Sequence, residues 1–184
     1  MATLKNGVDL ASIATYVDAV KTDPAQGQIK FVATSRWEGG TRSTISVDQF
    51  YANGQPAAPA GRSFKIVCDE PAVLGGTDQG PGPGELIAAA LCGCLTAGIA
   101  TNAALFDTEL DDIEVTTEVD WNMLGLLGLD RSVPSSAKGV HYTVRLKGND
   151  PEKLRRAKET LDRKSAILKT IEAMIPVTTT VVIE

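Results

Sequence analysis

The sequence predicts an α+β fold, and three observations lead to that prediction. The chain has 184 residues, of which 43% are hydrophobic and 22% charged, as in one ordinary globular domain. Strand patterns come in two groups, one before and one after a long apolar helix. That helix, residues 86–106, contains no charged side chain. Strands grouped in this way are typical of α+β proteins, because in a parallel β-α-β sheet strands and helices alternate.

The first group of elements begins with a short amphipathic helix at residues 9–20, which Asp23 and Pro24 end. Strand patterns follow at residues 28–37 and 42–47. The glycines between them suit a tight reversal, so we predict a hairpin. After a polar loop at residues 52–61, a third strand is predicted at residues 63–68.

The second group follows the apolar helix. Residues 113–121 alternate apolar and polar side chains, which predicts a half-buried strand, and a second strand is predicted at residues 140–147. Asp150 and Pro151 provide a cap and a first helical residue. The helix that they open is predicted to reach Leu161, and it can continue through Ile171. A β-branched strand at residues 177–183 ends the pattern.

Composition and charge argue against several classes of function. The net charge is −5 and no run of Lys or Arg exceeds two residues, so nucleic acid is not predicted as a partner. The apolar helix is long enough to span a bilayer, but it is rich in Ala and Gly and has no aromatic or basic flanks. We therefore predict a core helix and no membrane partner.

The cysteines and the single histidine bear on location and metal binding. The N-terminus has no secretory pattern and the three cysteines are odd in number, so we predict a cytoplasmic protein with reduced thiols. One histidine and a Cys-x-Cys spacing on a helix do not make a zinc pattern. We predict no metal and no cofactor.

The segment around Cys94 carries the strongest functional signal. A glycine-rich loop at residues 74–84 leads into Pro-Gly-Glu-Leu, residues 83–86, and then into a helix of small residues bearing Cys94. These features resemble the OsmC/Ohr family, as do residues 70–76 and 175–178. The resemblance covers residues 28–184 as a single OsmC-like domain and leaves residues 1–27 as an N-terminal helical extension.

The resemblance implies a structure and a chemistry. The structure would have two sheets packed around long central helices in an intertwined homodimer. The chemistry would be thiol-dependent reduction of organic hydroperoxides, with the Cys94 thiolate as nucleophile. An arginine of the hairpin would stabilise that thiolate; Arg42 is the candidate, with Arg36 as the alternative. Glu85 matches a glutamate general to the family.

Two positions depart from the family pattern. Ser165 stands where the resemblance implies a second cysteine, and Gly84 stands where the hydroperoxidases have a carboxylate that orients the arginine. A hydroxyl cannot form a disulfide, so an external thiol would have to complete the turnover. Cys92 is a poor substitute, because side chains two apart on a helix point to different faces. Cys68 could lie near the site or in the core.

These departures leave three functions open for Cys94. The first is hydroperoxide reduction completed by an external thiol. The second is acyl, alkyl or sulfur transfer by the Cys94 thiolate, with Ser165 as a hydrogen-bonding neighbour. The third is binding of an apolar ligand, without catalysis, between residues such as Leu126 and Leu127 in the dimer cleft. The substrate is expected to be small and hydrophobic or electrophilic.

Overall fold

The computed structural model describes residues 4–173, and within them the α+β order is confirmed. Contacts divide the chain into two units. The first contains residue 4 and residues 9–87, and the second contains residues 5–8 and 88–173. The boundary predicted between residues 27 and 28 stays a prediction.

The N-terminal elements are two short strands and the predicted helix. Strands β1 (Leu4–Lys5) and β2 (Val8–Asp9) pair and lead into helix α1 (Leu10–Thr22). Asp9 caps this helix, because its carboxylate accepts the backbone N–H of Ser12 at 3.0 Å. The helix ends at Asp23, as the sequence predicts.

The first unit contains a four-stranded antiparallel sheet. Its strands are β3 (Ile29–Gly39), β4 (Arg42–Ala52), β5 (Gln55–Pro56) and β6 (Lys65–Cys68). The predicted hairpin is β3 and β4, and its turn contains Gly39 and Gly40 with φ of 115° and 56°, which favour glycine. Strand β4 runs beyond the predicted end at residue 47, because its pairing with β3 continues to Ala52.

The second group of elements follows helix α2 (Pro83–Leu105). Strand β7 (Leu110–Asp120) pairs antiparallel with β8 (Gly139–Gly148), and the short helix α3 (Met123–Leu126) lies in their connection. Helices α4 (Pro151–Lys164) and α5 (Ala166–Glu172) come last. The apolar faces of β7 and β8 pack against a core of buried side chains from α2, α4 and α5: Leu91, Leu95, Ile99, Leu161 and Leu168.

The late helix is confirmed through Leu161, but its continuation to Ile171 is not one unbroken helix. It is interrupted at Ser165, whose ψ of 117° is not helical. The Ser165 hydroxyl accepts the backbone N–H of Leu168 and so starts α5 as a new helix. The strand predicted at residues 177–183 lies outside the described residues.

Helix α2 has the length and composition of a membrane span, and it is the one such helix in residues 4–173. Core helices of soluble proteins have the same properties, so this is weak evidence for insertion. Its Leu91, Leu95 and Ile99 side chains are fully buried against the chain's own β7, β8 and α4 elements.

Candidate active site at Cys94

The candidate nucleophile and Ser165 lie side by side in the second unit. The Cys94 sulfur is 3.3 Å from the Ser165 hydroxyl oxygen, and either atom can donate the hydrogen bond. Cys94 is half-buried, whereas Ser165 is 1% exposed. When the thiol loses its proton, the hydroxyl becomes the donor, and this stabilises the anion.

The helix interruption explains why Ser165 faces Cys94. The Ser165 oxygen accepts the Leu168 N–H at 3.3 Å, and its backbone N–H donates to the Leu161 carbonyl. These bonds join the end of α4 to the start of α5 at a residue that is almost fully buried. The bond from Leu168 uses a lone pair of the Ser165 oxygen and not its proton. The hydroxyl proton is therefore still available to the sulfur of Cys94.

The other two cysteines have their own environments. The Cys92 thiol donates to Thr117 Oγ1 at 3.2 Å and lies 3.5 Å from the Val115 carbonyl oxygen. Cys68 belongs to the first unit, where burial is the main cause that raises the pKa of its thiol. All three cysteines are free. The Cys92 thiol is therefore held by acceptors on β7, and a protonated, buried Cys68 is a poor nucleophile.

A cavity lies beside the turn that holds Ser165. Its volume is ≈ 680 Å³, within the range of about 300 to 1,000 Å³ that is typical of ligand sites. Leu168, which donates its N–H to Ser165, lines it together with Val140, Tyr142 and Ile171. Its walls are mainly apolar and could take a small hydrophobic molecule.

Arg42 lies at the start of β4 in the first unit. Its Nε donates to Glu38 Oε2 at 2.9 Å, and the other oxygen of Glu38 accepts the Thr44 hydroxyl at 2.6 Å. The bond from Thr44 and, to a smaller extent, the bond from Arg42 lower the pKa of Glu38. Glu38 is therefore an ionised partner for the arginine. The alternative, Arg36, has no side-chain hydrogen bond within residues 4–173.

Glu85 has a local structural contact. Its Oε2 accepts the backbone N–H of Gly82 at 2.7 Å, which is the back-bond of a capping box at the start of α2. Within the described residues it forms no ion pair with Arg42. The contact shows how Glu85 starts the helix that carries Cys94, while its predicted catalytic role stays a prediction.

Asp69 is a buried residue that the sequence analysis missed. It is 1% exposed and accepts hydrogen bonds from the hydroxyls of Thr41 and Thr77, both at 2.6 Å, and from backbone N–H groups that include those of Glu70 and Thr77. The bond from Thr41 is the largest cause that holds the pKa of Asp69 far below its usual value. Asp69 thereby joins the hairpin turn to the glycine-rich loop. One sequence signal could have pointed to Asp69: it directly follows a predicted strand and precedes the glycine-rich loop.

The predicted site residues therefore fall into separate groups. Cys94 and Ser165 are in contact, Arg42 pairs with Glu38, and Glu85 caps α2. Within residues 4–173, no cluster of three His, Cys, Asp or Glu side chains could hold a metal. The chemistry that the described residues offer is that of a half-buried thiol beside a hydroxyl group.

Comparison with known proteins places these features in a family. Residues 76–180, more than half of the chain, match the family described as OsmC-like protein. A comparison with curated proteins finds no match.

Solved structures show the same fold. An OsmC-like protein of Mycoplasma pneumoniae is 13% identical with a TM-score of 0.60, over 78% of this chain and 87% of that one. An organic hydroperoxide resistance protein OsmC of Legionella pneumophila is 18% identical with a TM-score of 0.53, over 77% and 88%. An organic hydroperoxide resistance protein of Elizabethkingia anophelis is 17% identical with a TM-score of 0.54, over 77% and 86%. Because the family model matches more than half of the chain and the fold is shared, the chain belongs to the OsmC-like protein family.

Proposed function

We propose that this protein reduces organic hydroperoxides with Cys94 as the reacting thiol and an external thiol as the reductant. The observation that carries the proposal is the contact between the half-buried Cys94 sulfur and the Ser165 hydroxyl. Two structural neighbours are named as organic hydroperoxide resistance proteins, which supports the same chemistry. The apolar cavity beside Leu168 suits an organic substituent.

The proposed reaction has three steps. The Cys94 thiolate attacks one peroxide oxygen, the O–O bond breaks, and the alkoxide takes a proton and leaves as an alcohol. The sulfur is then a sulfenic acid. An external thiol attacks it, forming a mixed disulfide and releasing water. A second external thiol restores the Cys94 thiol and leaves as a disulfide, so the external thiols supply both electrons.

Ser165 and Arg42 have different roles in this proposal. Ser165 donates its hydroxyl proton toward the sulfur when the sulfur is anionic, and cannot itself form a disulfide. Arg42 is proposed to supply the positive charge that favours the thiolate. Glu85 is proposed to act through its contact with Gly82, at the start of the helix that bears Cys94.

We also propose that the protein works as a homodimer in the cytoplasm. Among the described residues of the first unit, Cys68 is the one apolar side chain that is buried, while Phe31 and Trp37 are 76% and 77% exposed. On α2, the small residues Ala89 and Gly93 are exposed. A sheet with so little core of its own needs a second surface, and another copy of the chain would supply it.

A turnover assay tests the proposed reaction. The purified protein is given cumene hydroperoxide and a dithiol, and alcohol formation is followed for the wild type, Cys94→Ser and the matched control Cys92→Ser. We expect catalytic turnover that is lost in Cys94→Ser and retained in Cys92→Ser. A dimedone adduct should be found on Cys94. Oxidation no faster than that of a free thiol in solution would exclude the peroxidase.

A second candidate function is group transfer through Cys94. The observation that favours it is that the neighbour of Cys94 is a hydroxyl and not a thiol, so an acyl or alkyl group on the sulfur would not be displaced by an adjacent cysteine. The Cys94 sulfur would then attack an activated ester, release its alcohol and form a thioester. Water would hydrolyse the thioester to a carboxylic acid and restore the thiol, so turnover would be repeated without a dithiol. A single acylation without turnover would argue against this function.

A further inference from the structure

Two turns of the chain have the same sequence and the same backbone shape. Asn6 and Gly7 form the two-residue loop between β1 and β2, with φ of 51° and 75°. Asn53 and Gly54 form the two-residue loop between β4 and β5, with φ of 49° and 73°. Positive φ at both central residues is the hairpin geometry that Asn-Gly favours. The two turns therefore differ in the contacts of the asparagine side chain and not in their own covalent structure.

The Asn6 side chain is held by the start of β7. Its Nδ2 donates to the Thr108 carbonyl oxygen at 3.0 Å, and its Oδ1 accepts the backbone N–H of Leu110 at 3.1 Å. Thr108 is fully buried, and Asn6 and Leu110 are half-buried. The carboxamide therefore bonds to two residues that are two apart in the chain, as the backbone of a neighbouring parallel strand would. Through it, the N-terminal turn is attached to a segment 102 residues away.

Lys5 adds ion pairs at the same place. Its Nζ lies 3.0 Å from Asp107 Oδ1 and 3.7 Å from Glu109 Oε1, and its side chain is 28% exposed. These two acids flank Thr108 in the chain. All of these residues belong to the second unit. We name residues 5–8 the N-terminal clip, because their side chains fasten the turn to residues 107–110.

Asn53 lacks such contacts. It is exposed, and its side chain forms no hydrogen bond within residues 4–173, although its backbone N–H donates to the Gln28 carbonyl oxygen at 2.9 Å. An Asn-Gly pair in water deamidates without an enzyme. The glycine nitrogen attacks the asparagine Cγ, the Cγ–Nδ2 bond breaks, and ammonia leaves with the proton of the glycine N–H. Water then opens the succinimide ring to aspartate or isoaspartate. Glycine favours this attack because it has no side chain to hinder it.

We propose that Asn6 is a one-way chemical switch: the N-terminal clip delays its deamidation, and deamidation releases the clip. The reaction requires the carboxamide to turn toward the Gly7 nitrogen, which its bonds to Thr108 and Leu110 oppose. In the product an oxygen replaces Nδ2, so two acceptors meet at the Thr108 carbonyl group. The product also adds a negative charge to the two carboxylates that flank Thr108. This inference is independent of the reaction proposed for Cys94.

The first test compares the two asparagines within one sample. The full chain is incubated at mildly alkaline pH, folded or in concentrated urea, and deamidation at each site is quantified by peptide mapping with mass spectrometry. The retardation at a site is its rate in urea divided by its rate in the folded chain. The retardation at Asn6 should exceed that at Asn53 by about tenfold, because the bonds of the Asn6 carboxamide must first open. Equal retardation at the two sites, or a larger one at Asn53, overturns the proposal.

The second test weakens the clip without changing either asparagine. Lys5→Gln should speed deamidation at Asn6 in the folded chain by about threefold, as expected for loss of a partly exposed ion pair, and leave Asn53 unchanged. Lys21→Gln is the matched control, because Lys21 pairs with Asp18 at 3.2 Å in an exposed ion pair. It should change neither rate. An unchanged rate at Asn6 in Lys5→Gln overturns the protective role of the clip.

The third test asks whether the product releases the clip. Asn6→Asp reproduces one product, and hydrogen exchange of the Leu110 amide, followed by NMR, reports on the contact. Exchange should be about tenfold faster in Asn6→Asp than in wild type and unchanged in the control Asn53→Asp. Wild-type exchange in Asn6→Asp overturns the switch, because the aspartate would then be held like the asparagine. If Asn6→Asp does not fold, wild-type protein in which Asn6 has been allowed to deamidate provides the same comparison.

Discussion

The Ser165 hydroxyl oxygen lies 3.3 Å from the Cys94 sulfur, although 71 residues separate the two in the chain. The contact exists because α4 ends at Ser165 and α5 begins there, which turns this buried side chain toward α2. A residue in the middle of a continuous helix would have had a different orientation.

The Ser165→Cys variant should form a disulfide with Cys94 on oxidation. The present distance of 3.3 Å is short enough for small adjustments to reach the S–S bond length of about 2.05 Å. With one equivalent of cumene hydroperoxide, two thiols should disappear and the dimedone adduct should be lost. Thiol titration and intact mass check this.

The matched control for that variant is Thr117→Cys, because Thr117 Oγ1 lies 3.2 Å from the Cys92 sulfur. This variant adds a thiol at a similar distance from a different cysteine, Cys92. The dimedone adduct on Cys94 should persist in it. If Ser165→Cys also shows the full dimedone adduct on Cys94 and keeps the thiol that the substitution adds, the contact between positions 94 and 165 is not the one described.

Asp69→Asn should lower the stability of the protein and change its acid sensitivity. The pKa of Asp69 is held far below its usual value, mainly by the hydroxyls of Thr41 and Thr77. Its contribution to stability is present above the unfolded pKa of about 3.9 and is lost as pH falls below that value. Melting curves at neutral pH should shift down by several degrees in the variant. Between about pH 4 and pH 2 the wild type should lose more stability than the variant.

The control for this effect is Asp48→Asn, since Asp48 is an exposed residue of β4. Its melting temperature should stay close to wild type at neutral pH. Equal acid sensitivity in the wild type and in Asp69→Asn would contradict the assignment of Asp69 as a buried, ionised carboxylate.

Two glycines of α2 should respond oppositely to alanine. A Cβ at Gly98 would lie 2.3 Å from Leu161 Cδ1, whereas a Cβ at Gly93 would have nothing within 4 Å. Gly98→Ala should therefore lower the free energy of unfolding by about 1 to 3 kcal/mol through overpacking. Urea unfolding of both variants measures this.

Gly93→Ala should leave the free energy of unfolding unchanged or raise it by up to about 1 kcal/mol, because alanine favours the helix.

Gly93→Leu extends the comparison to the proposed homodimer. If this face of α2 packs against a second copy, the larger side chain should weaken the dimer in sedimentation experiments, with Gly93→Ala as its milder partner. A protein that is monomeric without substitution contradicts the dimer proposal.

Tyr142→Phe should remove a component of stability at alkaline pH. Burial, followed by the hydrogen bond to Asp162 at 2.8 Å, raises the pKa of Tyr142 from 10.0 to about 12. The resulting stability is present below pH 10.0 and is lost as the pH rises to about 12. Urea unfolding between these pH values should show a steeper loss in the wild type than in the variant. Parallel curves would contradict the raised pKa.

Local patterns were enough to predict most of the elements. Asp9 and Asp150 mark helix starts, two glycines mark the hairpin turn, and alternation marks β7, because each signal acts within a few residues. The same local logic failed at Ser165. Its neighbours favour a helix, but Ser165 caps a new helix through the bond from Leu168, and its side chain is buried in the core.

The sequence by itself determined the α+β order and the long helix with Cys94. The tertiary structure decided which groups meet: Ser165 with Cys94, Glu38 with Arg42, and Asp69 with Thr41. Propensity and periodicity depend on near neighbours, so they can be read along the chain. Hydrogen bonds between distant residues depend on how strands and helices are brought together, and for Glu38 on a bulge between Trp37 and Gly39 that no periodicity encodes.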